Sequence, residues 1–130
     1  RRAEKCATSR TSSRKISTMV VLGSGGHTAE MFRLLRGLDA SIYQPRAYVI
    51  ANTDSHSKHK SLEFEGHLKD GSYNIITIPR SREVGQSYLS SIFTTLYAFL
   101  YAFFAVFRFR PHLLICNGPG TCLPVCVAAV

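Results

Sequence analysis

The chain has 130 residues, of which 45% are hydrophobic, and this suits a single domain with its own core. Sixteen Lys and Arg against eight Asp and Glu give a net charge of +8, which favours an anionic partner such as a phosphorylated substrate, an acidic membrane or nucleic acid. The four cysteines lack the paired C-x-x-C spacing of a structural zinc site, so we expect no metal and interpret Cys116, Cys122 and Cys126 as reduced core thiols.

Residues 1–15 form a basic segment with six Lys or Arg among serines and threonines. This composition predicts a flexible lead-in beside a membrane or nucleic acid, and the segment lacks the apolar core of a signal peptide. No surface of interleaved aromatic and basic residues supports nucleic-acid recognition, so we expect no nucleic-acid partner. The chain begins with Arg1 and stops at Val130 within a predicted helix, and we therefore expect it to be incomplete at its C-terminus.

A glycine-rich turn joins the first predicted strand, residues 16–22, to the first predicted helix, residues 28–38. The turn reads Gly-Ser-Gly-Gly-His over residues 23–27, and its glycines let the backbone approach a ligand closely. The N–H groups and dipole of the following helix favour an anion there, so a phosphate or diphosphate is the expected guest. The Walker lysine is absent and Thr28 replaces the third glycine of the dinucleotide motif, so a plain strand-to-helix turn remains an alternative.

Further strands and helices alternate along the rest of the chain. The predicted order is strand 46–51, helix from the caps at 52–55 to about 67, strand 74–78, helix 88–107, strand 112–116, glycine turn 117–121 and a final helix. This alternation predicts a parallel sheet with residues 16–130 in one Rossmann-like α/β domain, and ligands collect at the carboxyl edge of such a sheet. Both glycine turns fall at that edge, as does the segment with Arg80 and Arg82, at least one of which could contact the same anion.

The helix predicted at 88–107 carries no charged side chain and is long enough to span a bilayer. Its small side chains share one face: Ser87, Ser91, Thr94, Ala98, Ala102 and Ala105. Its large apolar side chains lie opposite and are expected to face the membrane: Phe93, Leu96, Leu100, Phe103 and Phe107. A spanning helix would put the third and fourth strands on opposite sides of the membrane, so we expect it to dock on the sheet with its aromatic face toward lipid. A core helix covered by further segments is the alternative.

Three motifs together resemble one known family. They are Gly-Ser-Gly-Gly-His-Thr at 23–28, Arg-Glu-Val-Gly-Gln-Ser at 82–87 and Cys-Asn-Gly-Pro-Gly-Thr at 116–121. In this order they resemble the membrane-anchoring subunit of the eukaryotic two-part UDP-N-acetylglucosamine transferase of the dolichol-linked oligosaccharide pathway. The resemblance runs from about Ser17 to the end of the chain. It implies a GT-B glycosyltransferase split across two chains, with this chain as the acceptor-binding half.

The resemblance also implies a reaction and a location. The complex would add the second N-acetylglucosamine to N-acetylglucosaminyl-diphosphodolichol at the cytosolic face of the endoplasmic reticulum membrane. A catalytic partner subunit would bind UDP-N-acetylglucosamine, and this chain would be inactive alone and use no cofactor. Its own ligand would be the lipid-linked diphosphate acceptor.

The residue pattern and the resemblance together predict the site. The expected contacts to the acceptor diphosphate are Gly23, Ser24, Gly25, Gly26, Thr28, Arg82, Asn117, Gly118, Gly120 and Thr121. We expect His27 to be the general base or a proton-bearing phosphate ligand, with a helix-capping role as the alternative. Glu30 is expected in the first turn of its helix, where it would complement the dipole or act as a carboxylate base.

Two other classes of function remain open at this point. The first is a noncatalytic scaffold that recruits a soluble catalytic partner to the membrane. The second is a nicotinamide-dependent oxidoreductase, against which the missing third glycine and the second glycine turn both count.

Overall fold

A computed structural model of the protein describes residues 14–68, 71–80, 85, 87–118 and 121–130. Within them four strands alternate with four helices: β1 (Thr18–Leu22), α1 (Gly26–Leu35), β2 (Arg46–Ala51), α2 (Ser55–His67), β3 (Tyr73–Ile78), α3 (Tyr88–Phe109), β4 (Leu113–Asn117) and α4 (Cys122–Ala129). The predicted α/β class is confirmed. Residues 1–13 of the predicted basic lead-in lie outside the described residues.

The strands form one parallel sheet in the order β3-β2-β1-β4. This is a Rossmann-like arrangement, as predicted, and the strand order reverses between β1 and β4. The last residue of β1, Leu22, pairs in register with the last residue of β4, Asn117. The two glycine turns therefore leave the sheet side by side at its carboxyl edge.

Every residue of β1 and β2 is buried, because helices cover both faces of these central strands. Met19 and Val21 belong to a cluster on the face of α3 and α4, which contribute Ala102 and Val125. Val20 and Leu22 pack on the opposite face with apolar residues of α1: Met31, Phe32 and Leu35. The near-continuous apolar run that predicted a strand buried on both faces is thus explained by two separate cores.

A buried ion pair, which the sequence patterns did not predict, fastens β2 to α2. Arg46 donates from Nε to Glu65 Oε1 at 2.7 Å and from Nη2 to Glu65 Oε2 at 2.9 Å, and Tyr48 also donates its hydroxyl to Glu65. The Nη1 of Arg46 donates to the carbonyls of Ala40 and Tyr43 at 3.0 Å. Hydrogen bonding to Glu65 raises the pKa of Arg46, and burial raises the pKa of Tyr48.

Several predicted boundaries shift by one or two residues, and α1 shifts most. It begins at Gly26 rather than at residue 28, and the Thr28 N–H already donates to the Gly25 carbonyl. It ends at Leu35 rather than at residue 38, because Gly37 and Leu38 bond carbonyls only three residues back in a tighter turn. The predicted cap of α2 is confirmed, since Asp54 accepts a hydrogen bond from the Ser57 N–H at 3.0 Å.

The helix α3 contacts the rest of the domain through small side chains of its second half. Ala98, Ala102 and Ala105 are buried, which confirms this part of the predicted small face. The first part of the predicted small face is not buried, because Ser87 is exposed while Ser91 and Thr94 are only half-buried. Among the described residues, close packing of α3 on the rest of the domain is therefore confined to its second half.

The large apolar face of α3 is open in the described structure. The five residues predicted to face a membrane are 55 to 73% exposed: Phe93, Leu96, Leu100, Phe103 and Phe107. By length and composition, Tyr88–Phe109 could cross a membrane, with a mean hydropathy of 1.7 over its most apolar window. However, α3 connects β3 to β4, which belong to the same parallel sheet. A helix with its two ends on opposite sides of a membrane would separate these strands.

Three of the cysteines meet where α4 packs on β4. Cys116, Cys122 and Cys126 are free thiols, as predicted, and Cys126 Sγ lies 3.4 Å from Cys116 Sγ. The thiol hydrogen bond with Cys122 raises the pKa of Cys116, and burial adds to this effect. These contacts place the thiols in the packing between β4 and α4.

Candidate functional site

The site lies where the loops after β1 and β4 meet at the carboxyl edge of the sheet. Gly23 is buried between them, and a Cβ built on it would lie 2.5 Å from the carbonyl oxygen of Asn117. The same Cβ would lie 3.1 Å from His27 Cβ. The absence of a side chain at Gly23 therefore permits the two loops to touch, which is a packing role rather than an open ligand contact.

Two other glycines of the loops have backbones that favour glycine. Gly25 has φ +67° and Gly118 has φ +107°, both in the left-handed region. A Cβ on Gly118 would also lie 3.4 Å from His27 Cδ2. Gly26 differs from both, since its φ is not in the left-handed region and α1 begins at this residue. A Cβ on Gly25 or on Gly26 would meet nothing within 4 Å. Ser24, Gly25 and Gly26 are exposed and form the open face of the loop.

Thr28 has a different role from the predicted one. Its side chain is 1% exposed, and its hydroxyl donates to the carbonyl of Gly23. The same hydroxyl lies 2.8 Å from Ser57 Oγ. The Ser57 hydroxyl in turn donates to Asp54 Oδ2 at 2.6 Å. The Thr28 hydroxyl is therefore not placed for the predicted diphosphate contact, because it is turned inward and packs the loop against α2.

His27, Glu30 and Asn117 form a polar cluster that connects the two loops. Asn117 Nδ2 donates to Glu30 Oε2 at 3.0 Å and to the His27 carbonyl at 3.3 Å. The same Glu30 oxygen lies 3.6 Å from His27 Nδ1. The hydrogen bond from Asn117 lowers the pKa of Glu30, and the neighbouring His27 and Arg33 lower it further. Glu30 is therefore an ionised carboxylate at neutral pH.

The predicted role of Glu30 in the first helical turn is corrected by this geometry. Since α1 begins at Gly26, Glu30 is its fifth residue, and the first turn contains no acidic residue. The Glu30 carboxylate contacts Asn117 and the His27 ring instead of the helix N-terminus. No spacing rule pairs Glu30 with Asn117, because the contact joins two elements 87 residues apart.

An arginine from the segment after β3 reaches the first loop. Arg80 Nη2 donates to Ser24 Oγ at 3.2 Å, which places a guanidinium group at the open face of the loop. Arg82 and Gly120 lie outside the described residues. Thr121, another predicted contact, is 6% exposed where it precedes α4, so little of it is open to a ligand.

These features define a Rossmann-like α/β domain with a candidate anion-binding crevice at the topological switch point of its sheet. The crevice combines a helix N-terminus, an arginine and a histidine that is about half exposed. In the part of the chain that the structure describes, no group of three or more His, Cys, Asp or Glu could hold a metal ion.

Comparison with known proteins identifies the family. A family model described as "Oligosaccharide biosynthesis protein Alg14 like" matches residues 18–130, and the chain belongs to this family. This result confirms the predicted family and agrees with the glycosyltransferase interpretation rather than with an oxidoreductase.

Individual relatives carry a more specific name, UDP-N-acetylglucosamine transferase subunit ALG14. The proteins of Rattus norvegicus and Homo sapiens are each 49% identical to this chain over 122 residues, covering 88% of the chain and 56% of the relative. The protein of Yarrowia lipolytica is 42% identical over 113 residues, covering 85% of the chain and 52% of the relative. The chain thus spans about half the length of these curated relatives. No solved structure matches it significantly.

Proposed function

We propose that this chain is part of a UDP-N-acetylglucosamine transferase subunit that binds a lipid-linked diphosphate acceptor. The reaction would add the second N-acetylglucosamine to N-acetylglucosaminyl-diphosphodolichol. Its relatives are named as subunits of a UDP-N-acetylglucosamine transferase, and its family is described by oligosaccharide biosynthesis. These names support the glycosyltransferase class, and the geometry of the crevice supports the acceptor role.

The contact between the loops of β1 and β4 is the observation that carries this proposal. Gly23 and Asn117 bring the two loops together, while Ser24, Gly25 and Gly26 leave backbone open at the start of α1. Helix-terminal N–H groups and the guanidinium of Arg80 are suited to the oxygens of a diphosphate. A diphosphate held there would place the attached sugar beside His27.

In this proposal His27 acts on the acceptor hydroxyl or on a phosphate oxygen. As a general base, the imidazole takes the proton of the sugar hydroxyl while that oxygen attacks the anomeric carbon of the donor. The bond between this carbon and the diphosphate of UDP breaks, and UDP leaves with the electron pair. As a phosphate ligand, a protonated His27 would instead stabilise the acceptor diphosphate.

The same proposal includes a partner and a membrane. A catalytic subunit binds UDP-N-acetylglucosamine, so this chain is inactive alone and belongs to the acceptor half of a GT-B enzyme. The open apolar face of α3 lies against the cytosolic leaflet of the endoplasmic reticulum membrane. Its exposed Phe93, Phe103 and Phe107 support membrane contact because such a stripe is unfavourable in water.

Transfer of labelled N-acetylglucosamine to a lipid-diphosphate N-acetylglucosamine acceptor tests the proposal. The complete gene product is assayed with its candidate catalytic partner, and His27→Ala is compared with His59→Ala, an exposed histidine of α2. We expect His27→Ala to lower kcat by roughly 10²- to 10⁴-fold while co-purification persists and His59→Ala retains activity. Unchanged transfer in His27→Ala would make the chain a noncatalytic scaffold. Absence of transfer in the assembled wild-type pair would contradict the proposed reaction.

A further inference from the structure

We propose that Glu30 and Asn117 are positioning residues, which hold the His27 ring so that its Nε2 faces the acceptor hydroxyl. This inference rests on the proposed function, since it assigns the parts of the same site. In this inference Glu30 is neither the general base nor a partner of the helix dipole. The Asn117 amide holds Glu30 in place through a hydrogen bond and does not contact the diphosphate.

The first step is the placement of the two side chains on α1. His27 and Glu30 are three residues apart, so their side chains occupy the same face of the helix. Glu30 Oε2 lies 3.6 Å from His27 Nδ1, slightly beyond hydrogen-bond length. Such contacts in a ligand-free site are often long and shorten when substrate binds. The carboxylate therefore faces one particular nitrogen of the ring.

The second step is the clamp from the neighbouring strand. Asn117 ends β4 and donates to Glu30 Oε2 at 3.0 Å, the same oxygen that faces the ring. Its second hydrogen bond, to the carbonyl of His27 at 3.3 Å, fixes it against the start of α1. A long Glu side chain that is 65% exposed is thereby held by a group anchored in the sheet.

The third step is chemical. A carboxylate at Nδ1 favours the tautomer that carries its proton on Nδ1, because this N–H can donate to Oε2. The lone pair is then on Nε2, the nitrogen remote from Glu30, and a general base needs this lone pair toward the hydroxyl. The ring lies beside Gly118, where an added Cβ would be 3.4 Å from Cδ2, so the site leaves room for the ring only because this residue is glycine.

Charged neighbours from other positions are compatible with this arrangement. Arg33 on α1 acts on the Glu30 carboxylate, and Arg80 from the segment after β3 is bonded to Ser24. Asn117 and Gly118, the described residues of the β4 loop beside the ring, are uncharged. Glu30 is thus the carboxylate that contacts the ring in the described structure.

The test uses the complete gene product with its catalytic partner. Glu30→Ala, Glu30→Gln and Asn117→Ala are compared with Glu63→Gln, which alters an exposed carboxylate on α2. We expect Glu30→Ala and Asn117→Ala to lower kcat by about 10- to 100-fold with little change in the acceptor KM, because a misplaced base affects the chemical step. Glu30→Gln should be impaired less than Glu30→Ala, since its amide oxygen still accepts from Nδ1.

A spectroscopic measurement keeps the test independent of turnover. The ¹⁵N signals of the His27 ring are expected to show the proton on Nδ1 in the wild type and a mixture of tautomers in Glu30→Ala. If Glu30→Ala keeps wild-type kcat, or if its ring signals match those of the wild type, the inference is wrong. Equal losses in Glu30→Ala and Glu30→Gln with a raised acceptor KM would also overturn it. A wild-type pair without transfer contradicts the proposed function, while the ring signals still test the positioning.

Discussion

At the candidate site, Gly23 leaves no room for a side chain beside the Asn117 carbonyl. Replacing Gly23 by Ala would put a Cβ 2.5 Å from a backbone oxygen, so the two loops would have to separate. We expect Gly23→Ala to destabilise the fold by about 1–3 kcal/mol, the usual cost of overpacking. Gly26→Ala is the matched control, since that site is open, and a change within about 0.5 kcal/mol is expected. Chemical unfolding of both variants checks this, and equal stabilities would contradict the packing role of Gly23.

The Glu30 carboxylate gives the site a defined pH dependence. The Asn117 amide, which donates to the ionised form, holds the pKa of this carboxyl below its ordinary value in the folded state. The stabilising contribution is therefore present above the pKa of the unfolded chain and is lost as the pH falls through the folded-state pKa. We expect the difference in melting temperature between wild type and Glu30→Gln to be constant at neutral pH and to shrink in acid, as the pH falls through the lowered pKa of Glu30. A difference in melting temperature that grows on acidification would show that folding raises the pKa of Glu30 instead of lowering it.

The sequence was a good guide to some of these residues and a poor one to others. Glycines after an apolar run predicted the turn from β1 to α1 that the structure shows, because backbone freedom is a local property. The inward hydrogen bond of Thr28 was not predicted because its partner, Ser57, lies 29 residues away and only the folded chain brings them together. The contact of Asn117 with Glu30 has the same origin, since tertiary packing and not spacing determines it.

Between elements, the buried pair of Arg46 and Glu65 is the main polar link from β2 to α2. Glu65→Ala would leave Arg46 buried without its carboxylate, and we expect a loss of about 3–5 kcal/mol in the free energy of unfolding. Glu63→Ala is the matched control, because its pair with Lys60 is about half exposed, and a loss of at most about 1 kcal/mol is expected. Chemical unfolding measures both. Similar losses in Glu65→Ala and Glu63→Ala would show that the buried ion pair stabilises the fold no more than an exposed one.

The two faces of α3 predict opposite phenotypes for adjacent residues. Ala102→Leu inserts a larger side chain where exposure is 0%, and a loss of about 1–3 kcal/mol in stability is expected. Phe103→Ser removes a side chain that is 55% exposed, so the fold should persist while binding to phosphatidylcholine vesicles weakens by about tenfold. Unfolding and vesicle flotation separate these effects. Unaltered flotation of Phe103→Ser would show that the large apolar face of α3 does not bind the membrane.

For the whole molecule, the sheet order restricts how α3 can meet a membrane. Because β3 and β4 belong to one sheet, both ends of α3 should lie on the same side of the bilayer. In sealed microsomes that contain the full protein, Ser87→Cys and Arg108→Cys should both react with a membrane-impermeant maleimide added from the cytosolic side. Both positions are exposed in the structure. Protection of only one of them would indicate a spanning helix.

The architecture was predictable at this scale because its signals repeat along the chain. Alternating strands and helices specify a parallel sheet, and the loops that follow parallel strands all lie at its carboxyl edge. The extent of contact between α3 and the sheet was not predictable, since small residues continue from Ser87 to Ala105 while burial begins only at Ala98. Helical periodicity identifies a face, but it does not show where the neighbouring layer ends.

The length of α3 has a further consequence. Its 22 residues extend about 33 Å, whereas the five or six residues of each strand extend only about 17–20 Å. Residues 88–97 contain no buried side chain, and they precede the packed half at the edge where the glycine loops lie. If this overhang rests in the lipid surface, the crevice is held at a fixed height above the leaflet. Under the proposed function, the acceptor would then reach the crevice by lateral diffusion in two dimensions, and headgroup depth would select which lipids can react.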